Sequence, residues 1–212
     1  MYVTTRQAGE ELGISPNSVK KLIAAGVLPT VQFRGVRATL PLSDVQTLAA
    51  RRWISPSLVG VTELPVLRVD AAESVNEPDR VWIGYGAKLS AFELIEALRG
   101  WWKCDPERAI AAGFLPVTVS GFVVAVMAEL SLAESQRFEV PGRAIEVRHR
   151  FSCQLSGHVI DLVAANHRLD SGQGRRMAAR TRRLLGNRIA SLSGGPIAYV
   201  REPEPDQSGG SA

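Results

Sequence analysis

The sequence predicts an α+β protein in two unequal parts, a small helical unit with a β-hairpin followed by a larger domain of mixed strands and helices. Three observations predict it. Helix caps and stops follow one another closely over the first fifty residues, alternating apolar strands dominate the rest, and the charge separates the two parts. The chain has 212 residues, 45% of them apolar and 22% charged, which is ordinary for a globular protein with real cores. Residues 1–52 carry seven Lys/Arg against three Asp/Glu, a net +4, whereas residues 53–212 carry eighteen of each. The whole formal charge of +4 therefore sits in the first quarter of the chain. That points to an acidic partner for this quarter.

In the first part, Thr4 or Thr5 caps a helix over about Arg6 to Leu12, with Ala8, Leu12 and Ile14 turned inward. Gly13-Ile14 forms a tight turn. Ser15 caps a second helix, Pro16 suits its first position, Gly26 is a left-handed stop and Pro29 prevents a restart. Val19, Leu22 and Ile23 form its apolar stripe, which leaves Asn17, Lys20 and Lys21 pointing elsewhere. "TVQFRGVRATLP" reads as a hairpin, with Val31 and Phe33 facing Val36, Ala38 and Leu40 across a turn at Arg34-Gly35. Ser43 is expected to cap a third helix, "DVQTLAARR", and residues 53–63 are expected to be a linker.

Two short helices joined by a tight turn match the helix-turn-helix arrangement, whose second helix enters the DNA major groove. The run also resembles the excisionase-type, MerR-like winged helix-turn-helix family over about fifty residues. The matching elements, in order, are Val3-Thr4-Thr5, Leu12 to Ser15, Gly26 to Pro29, the basic wing Arg34 to Arg37, and Ser43 to Val45. The resemblance implies a double-stranded DNA partner. Thr5, Ser15, Asn17 and Ser18 would hydrogen-bond bases or phosphates, and Lys20, Lys21, Arg34 and Arg37 would grip the backbone.

Residues 64–201 read as an α+β domain for assembly or partner binding. Strands are expected at "LPVLRVDA", "RVWIGYG", "AIEVRHRFSCQL", "HVIDLVAAN" and "PIAYV". "FLPVTVSGFVVAVMAEL" reads as two strands broken at Gly121, or alternatively as a strand and a buried helix over 122–132. Ser90 caps a helix running into Trp101-Trp102, Asp105-Pro106 opens a short one that stops at Gly113, and an Arg-rich helix spans about 173–185. On a helical wheel Arg175, Arg176, Arg180, Arg182 and Arg183 share one side and Met177, Ala178, Thr181, Leu184 and Leu185 the other. This basic side is either a second phosphate-gripping surface, a subunit contact or a solvated face. Residues 202–212 are expected to be disordered.

No catalytic constellation stands out, so no enzyme activity and no cofactor are expected. His149, His158 and His167 recur every nine residues with Cys153 among them, but His149 shares a strand face with Phe151 and reads as a core histidine rather than a ligand. Cys104 and Cys153 fit neither a disulfide framework nor zinc spacing, and no metal site is expected. No apolar run approaches 18 residues and the start lacks an export signal, so no membrane partner and a cytoplasmic, nucleoid-associated location are expected. One fifty-residue module covers only ~600–1,000 Å² of DNA, so a homo-oligomer, most simply a dimer, or cooperative binding is expected. The expected role is that of a bacterial site-specific transcriptional repressor or regulator. A recombination-directionality or replication factor of a mobile element stands as an alternative, as does a protein-protein adaptor with a vestigial DNA-binding unit.

Overall fold

The computed structural model describes residues 1–77, 80–139, 142, 145–170, 172–191 and 195–202. The expected disordered tail lies outside these apart from Glu202. The N-terminal part is built as β1 (Tyr2–Thr4), α1 (Thr5–Leu12), α2 (Pro16–Ala24), β2 (Gln32–Arg34), β3 (Arg37–Pro41) and α3 (Leu42–Ala49). Thr4 and Gln7 close a capping box on α1, and Gly13, at φ 65°, ends it. Strands β1, β3 and β2 form a small antiparallel sheet in that order. Arg34 pairs with Arg37, so the hairpin turn falls on Gly35-Val36 rather than Arg34-Gly35. Ser43 lies inside α3, whose N-cap is Pro41 with no side-chain hydrogen bond, and its hydroxyl turns to Asp44 instead.

The remainder is β4 (Glu63–Arg68), β5 (Glu73–Glu77), β6 (Arg80–Ile83), α4 (Ala91–Leu98), α5 (Pro106–Ala111), β7 (Phe114–Val119), β8 (Phe122–Phe138), β9 (Glu146–Asp161), β10 (Asn166–Leu169), α6 (Arg175–Leu184) and β11 (Ile197–Arg201). A six-stranded sheet runs β10-β9-β8-β7-β4-β11, antiparallel except where β4 meets β7, and β5–β6 form a separate ribbon. Every residue of β7 is buried, as are Phe122 to Ala128 of β8, which places the core at mid-sheet. The stretch 122–132 is thus strand, not helix. The body of "AIEVRHRFSCQL" and the start of "HVIDLVAAN" fuse into the one strand β9, after which Leu162 to Ala165 turn and Asn166 opens β10. Gly157 lets β10 approach: a Cβ there would lie 2.8 Å from the Arg168 carbonyl oxygen. Helix α4 ends before the tryptophans, and Trp102 instead exchanges backbone hydrogen bonds with His149.

Residues 53–62 are packed, not a spacer. A 3-10 turn spans Pro56–Val59, and Ile54, Pro56 and Val59 are buried. The two parts share one apolar core that runs without interruption from Val3, Leu22 and Leu28 to Leu64, Phe122 and Leu184. Backbone hydrogen bonds join them at three places, Ala87 N–H to Ala25 O at 2.9 Å, Leu162 N–H to Val27 O at 3.0 Å and Arg188 N–H to Arg52 O at 2.9 Å, and Ile54 N–H to Arg188 O at 2.8 Å ties the connecting segment to the C-terminal part. No helix among the described residues is long and apolar enough to cross a membrane.

Candidate nucleic-acid interface

The turn between α1 and α2 depends on Gly9. A Cβ on it would sit 2.7 Å from the Ile14 carbonyl oxygen, so the chain can turn tightly over α1 only if this residue has no side chain. Ser15 caps α2 by accepting from the Ser18 N–H at 3.0 Å, and its hydroxyl also pairs with that of Ser18. Thr5 is the first residue of α1 and half-buried, whereas Ser15, Asn17 and Lys20 are exposed. Arg34 and Arg37 are exposed on either side of the hairpin turn. Among the described residues, Lys20, Arg34 and Arg37 make no ion pair.

Two of the expected contacts face the other way. Lys21 Nζ lies 2.5 Å from Asp70 Oδ1, and the Ser18 carbonyl accepts from Ser120 Oγ at 2.9 Å, so this edge of α2 is half-buried against the C-terminal part. The face of α2 left to solvent is Pro16, Asn17, Lys20 and Ala24. The hairpin also departs from expectation. Phe33 is 62% exposed and Val36 fully so, because the alternation carries them past the end of the core that Val3 and Leu40 close.

On α6, Arg175, Arg176, Arg182 and Arg183 are exposed. Arg180 is half-buried: its Nε donates to the Val59 carbonyl at 2.9 Å, its guanidinium stacks 4.5 Å from the Phe114 ring, and burial pulls its pKa down. It anchors the 3-10 turn and is not part of an open basic face. Arg183 lies near the Leu58 carbonyl at 3.5 Å.

The chemistry-bearing residues of the C-terminal part are dispersed. His149 Nδ1 pairs with Ser135 Oγ at 2.9 Å across β8–β9, and burial lowers the pKa of His158 and of His167. Cys104 and Cys153 are pushed up to about 11 by burial, which leaves neither thiol poised as a nucleophile. Among the described residues no three His, Cys, Asp or Glu side chains gather as a metal site. Sequence reasoning missed Asp70, Ser120 and Arg188. The first two carry no local signal, but Arg188 in "GNRIA" directly precedes the apolar Ile189-Ala190, and it is buried with Nη2 donating to the Leu12 carbonyl at 2.9 Å. No protein-family model matches the chain, and neither curated proteins nor solved structures show a match to it.

Proposed function

We propose that residues 1–52 are a winged helix-turn-helix that binds double-stranded DNA, and that the chain is a cytoplasmic, site-specific DNA-binding regulator. One observation carries this reading. In the segment that holds all the net charge, Asn17 and Lys20 on α2 and Arg34 and Arg37 at the hairpin are exposed, and these three cations have no carboxylate partner among the described residues. Asn17, near the N-terminal end of α2, is placed to read base edges, and the cations to hold phosphates. The C-terminal sheet fixes the angle at which α2 is presented. The small footprint of one module calls for a second copy on the same duplex.

The test is duplex binding by the full chain as a function of salt. Each lost phosphate contact flattens the plot of log K against log salt by about 0.9. Lys20→Ala with Arg37→Ala is expected to flatten it by nearly two units. An unchanged slope would overturn the assignment. One observation favours an adaptor instead: the wing tip presents apolar Phe33 and Val36, side chains that a phosphate-gripping loop does not need. Under that reading, Phe33→Ser abolishes partner binding and salt has little effect.

A further inference from the structure

Beneath α2, a cleft of about 640 Å³ separates the helix-turn-helix from the six-stranded sheet. Ser18 and Lys21 line one side, and Trp53, Arg68, Trp102 and Arg188 line the other. Arg188 is only 6% exposed. Its guanidinium stacks 4.1 Å from the Trp53 ring and 5.1 Å from that of Phe122, and Nη2 is taken by the Leu12 carbonyl. Its Nε is buried with no hydrogen-bond partner, and Nη1 makes no hydrogen bond among the described residues. Arg68 is likewise held only by carbonyls, Nε on Gly195 at 3.1 Å and Nη1 on Ser191 at 3.5 Å. Two carboxylates, Asp70 and Glu73, sit on the rim; Asp70 is engaged by Lys21 and neither pairs with an arginine.

A guanidinium removed from water without a counter-ion is costly, and the usual remedy is a carboxylate or phosphate presented to its N–H edge. Among the described residues the polypeptide supplies none here, and Arg188 lines the cleft. Trp53, half-exposed and already stacked on Arg188, offers a flat apolar wall beside it. We propose that this cleft binds a small planar organic anion, a nucleoside monophosphate or an aromatic carboxylate, with its anionic group at Arg188 and its ring along Trp53. The site does not depend on α2 reading DNA.

The test follows thermal unfolding of the full chain with adenosine 5′-monophosphate, benzoate or uncharged adenosine at constant ionic strength. Saturable stabilisation by the monophosphate or by benzoate, with none by adenosine, is the expected result, and the stronger of the two identifies the anion class. In wild-type protein the same anion should shift the Arg188 Nε–H signal in the NMR spectrum, so the readout survives even if a variant misfolds. Arg188→Gln and, separately, Arg68→Gln should weaken binding about tenfold or more, as befits a lost charge-assisted hydrogen bond. Equal stabilisation by adenosine, no stabilisation by either anion, an unmoved Arg188 signal, or stabilisation by duplex DNA alone would each overturn the proposal.

Discussion

Lys20 projects from α2 with no carboxylate paired to it among the described residues, whereas the ammonium of Lys21 rests 2.5 Å from Asp70. If α2 lies on DNA, that carboxylate competes with phosphate for Lys21. Asp70→Asn is then expected to steepen the salt dependence of duplex binding by about 0.9, as one more cation reaches the backbone; a slope that stays put would show that Lys21 points away from the duplex. The histidines give a pH prediction. Burial first, then Arg168 for His158 and Arg51 for His167, holds both imidazoles below their ordinary pKa. The folded state therefore binds fewer protons than the unfolded state. Their contribution is intact above the unfolded value of ~6.5 and is lost as pH falls below it toward the folded values. Unfolding free energy measured by urea titration should decline on acidification through this window, and His158→Gln with His167→Gln should flatten the decline. At this scale the exposed site residues were legible: the 3.6-residue period alone leaves Asn17 and Lys20 outside. The ion pair of Lys21 was not, because Asp70 belongs to a different part of the chain and leaves no mark near α2.

Among the elements, α6 divides its arginines between two physical roles. Arg180→Ala removes a hydrogen bond to the Val59 carbonyl and the stacking on Phe114, and should cost about 1–3 kcal/mol by denaturant unfolding. Arg175→Ala, on the exposed side, should stay within about 0.5 kcal/mol. Equal losses would mean that the 3-10 turn does not depend on α6. Helix boundaries were legible at most local signals, as with Thr4, Ser15, Ser90 and Asp105 as caps and Gly13, Gly26 and Gly113 at the stops, but not at Ser43, which lies inside α3. Strand β6 was legible in "RVWIGYG", but its partner β5 was missed because "ESVNE" is polar and pairs only with its neighbour, so no alternation marks it. The hairpin turn was misplaced by one residue because register is fixed by cross-strand hydrogen bonds, and both "RG" and "GV" contain the needed glycine.

For the molecule as a whole, the shared core predicts shared folding. Val27 and Leu28 are buried in the same cluster as the C-terminal sheet, and Arg51 donates to the Leu162 and Val163 carbonyls. A fragment of residues 1–52 should therefore lack native helicity and dispersed amide signals, and the full chain should unfold in one transition seen alike by Trp fluorescence and far-UV circular dichroism. An independently folded fragment, or two separated transitions, would contradict it. Composition could divide the chain by charge but could not show this union, since charge resides on the surface and the joint is made inside. The joint has a further property. The hydrogen bonds that the C-terminal part donates to residues 1–52 end on the carbonyls of Leu12, Ser18, Ala25, Val27 and Arg52, and every residue type possesses that group. Asn17, Lys20 and Ala24 take no part in it. Mutation can therefore rewrite the outward letters of α2 while its docking stays unchanged, so descendants of this chain could vary that face without first relearning how to fold.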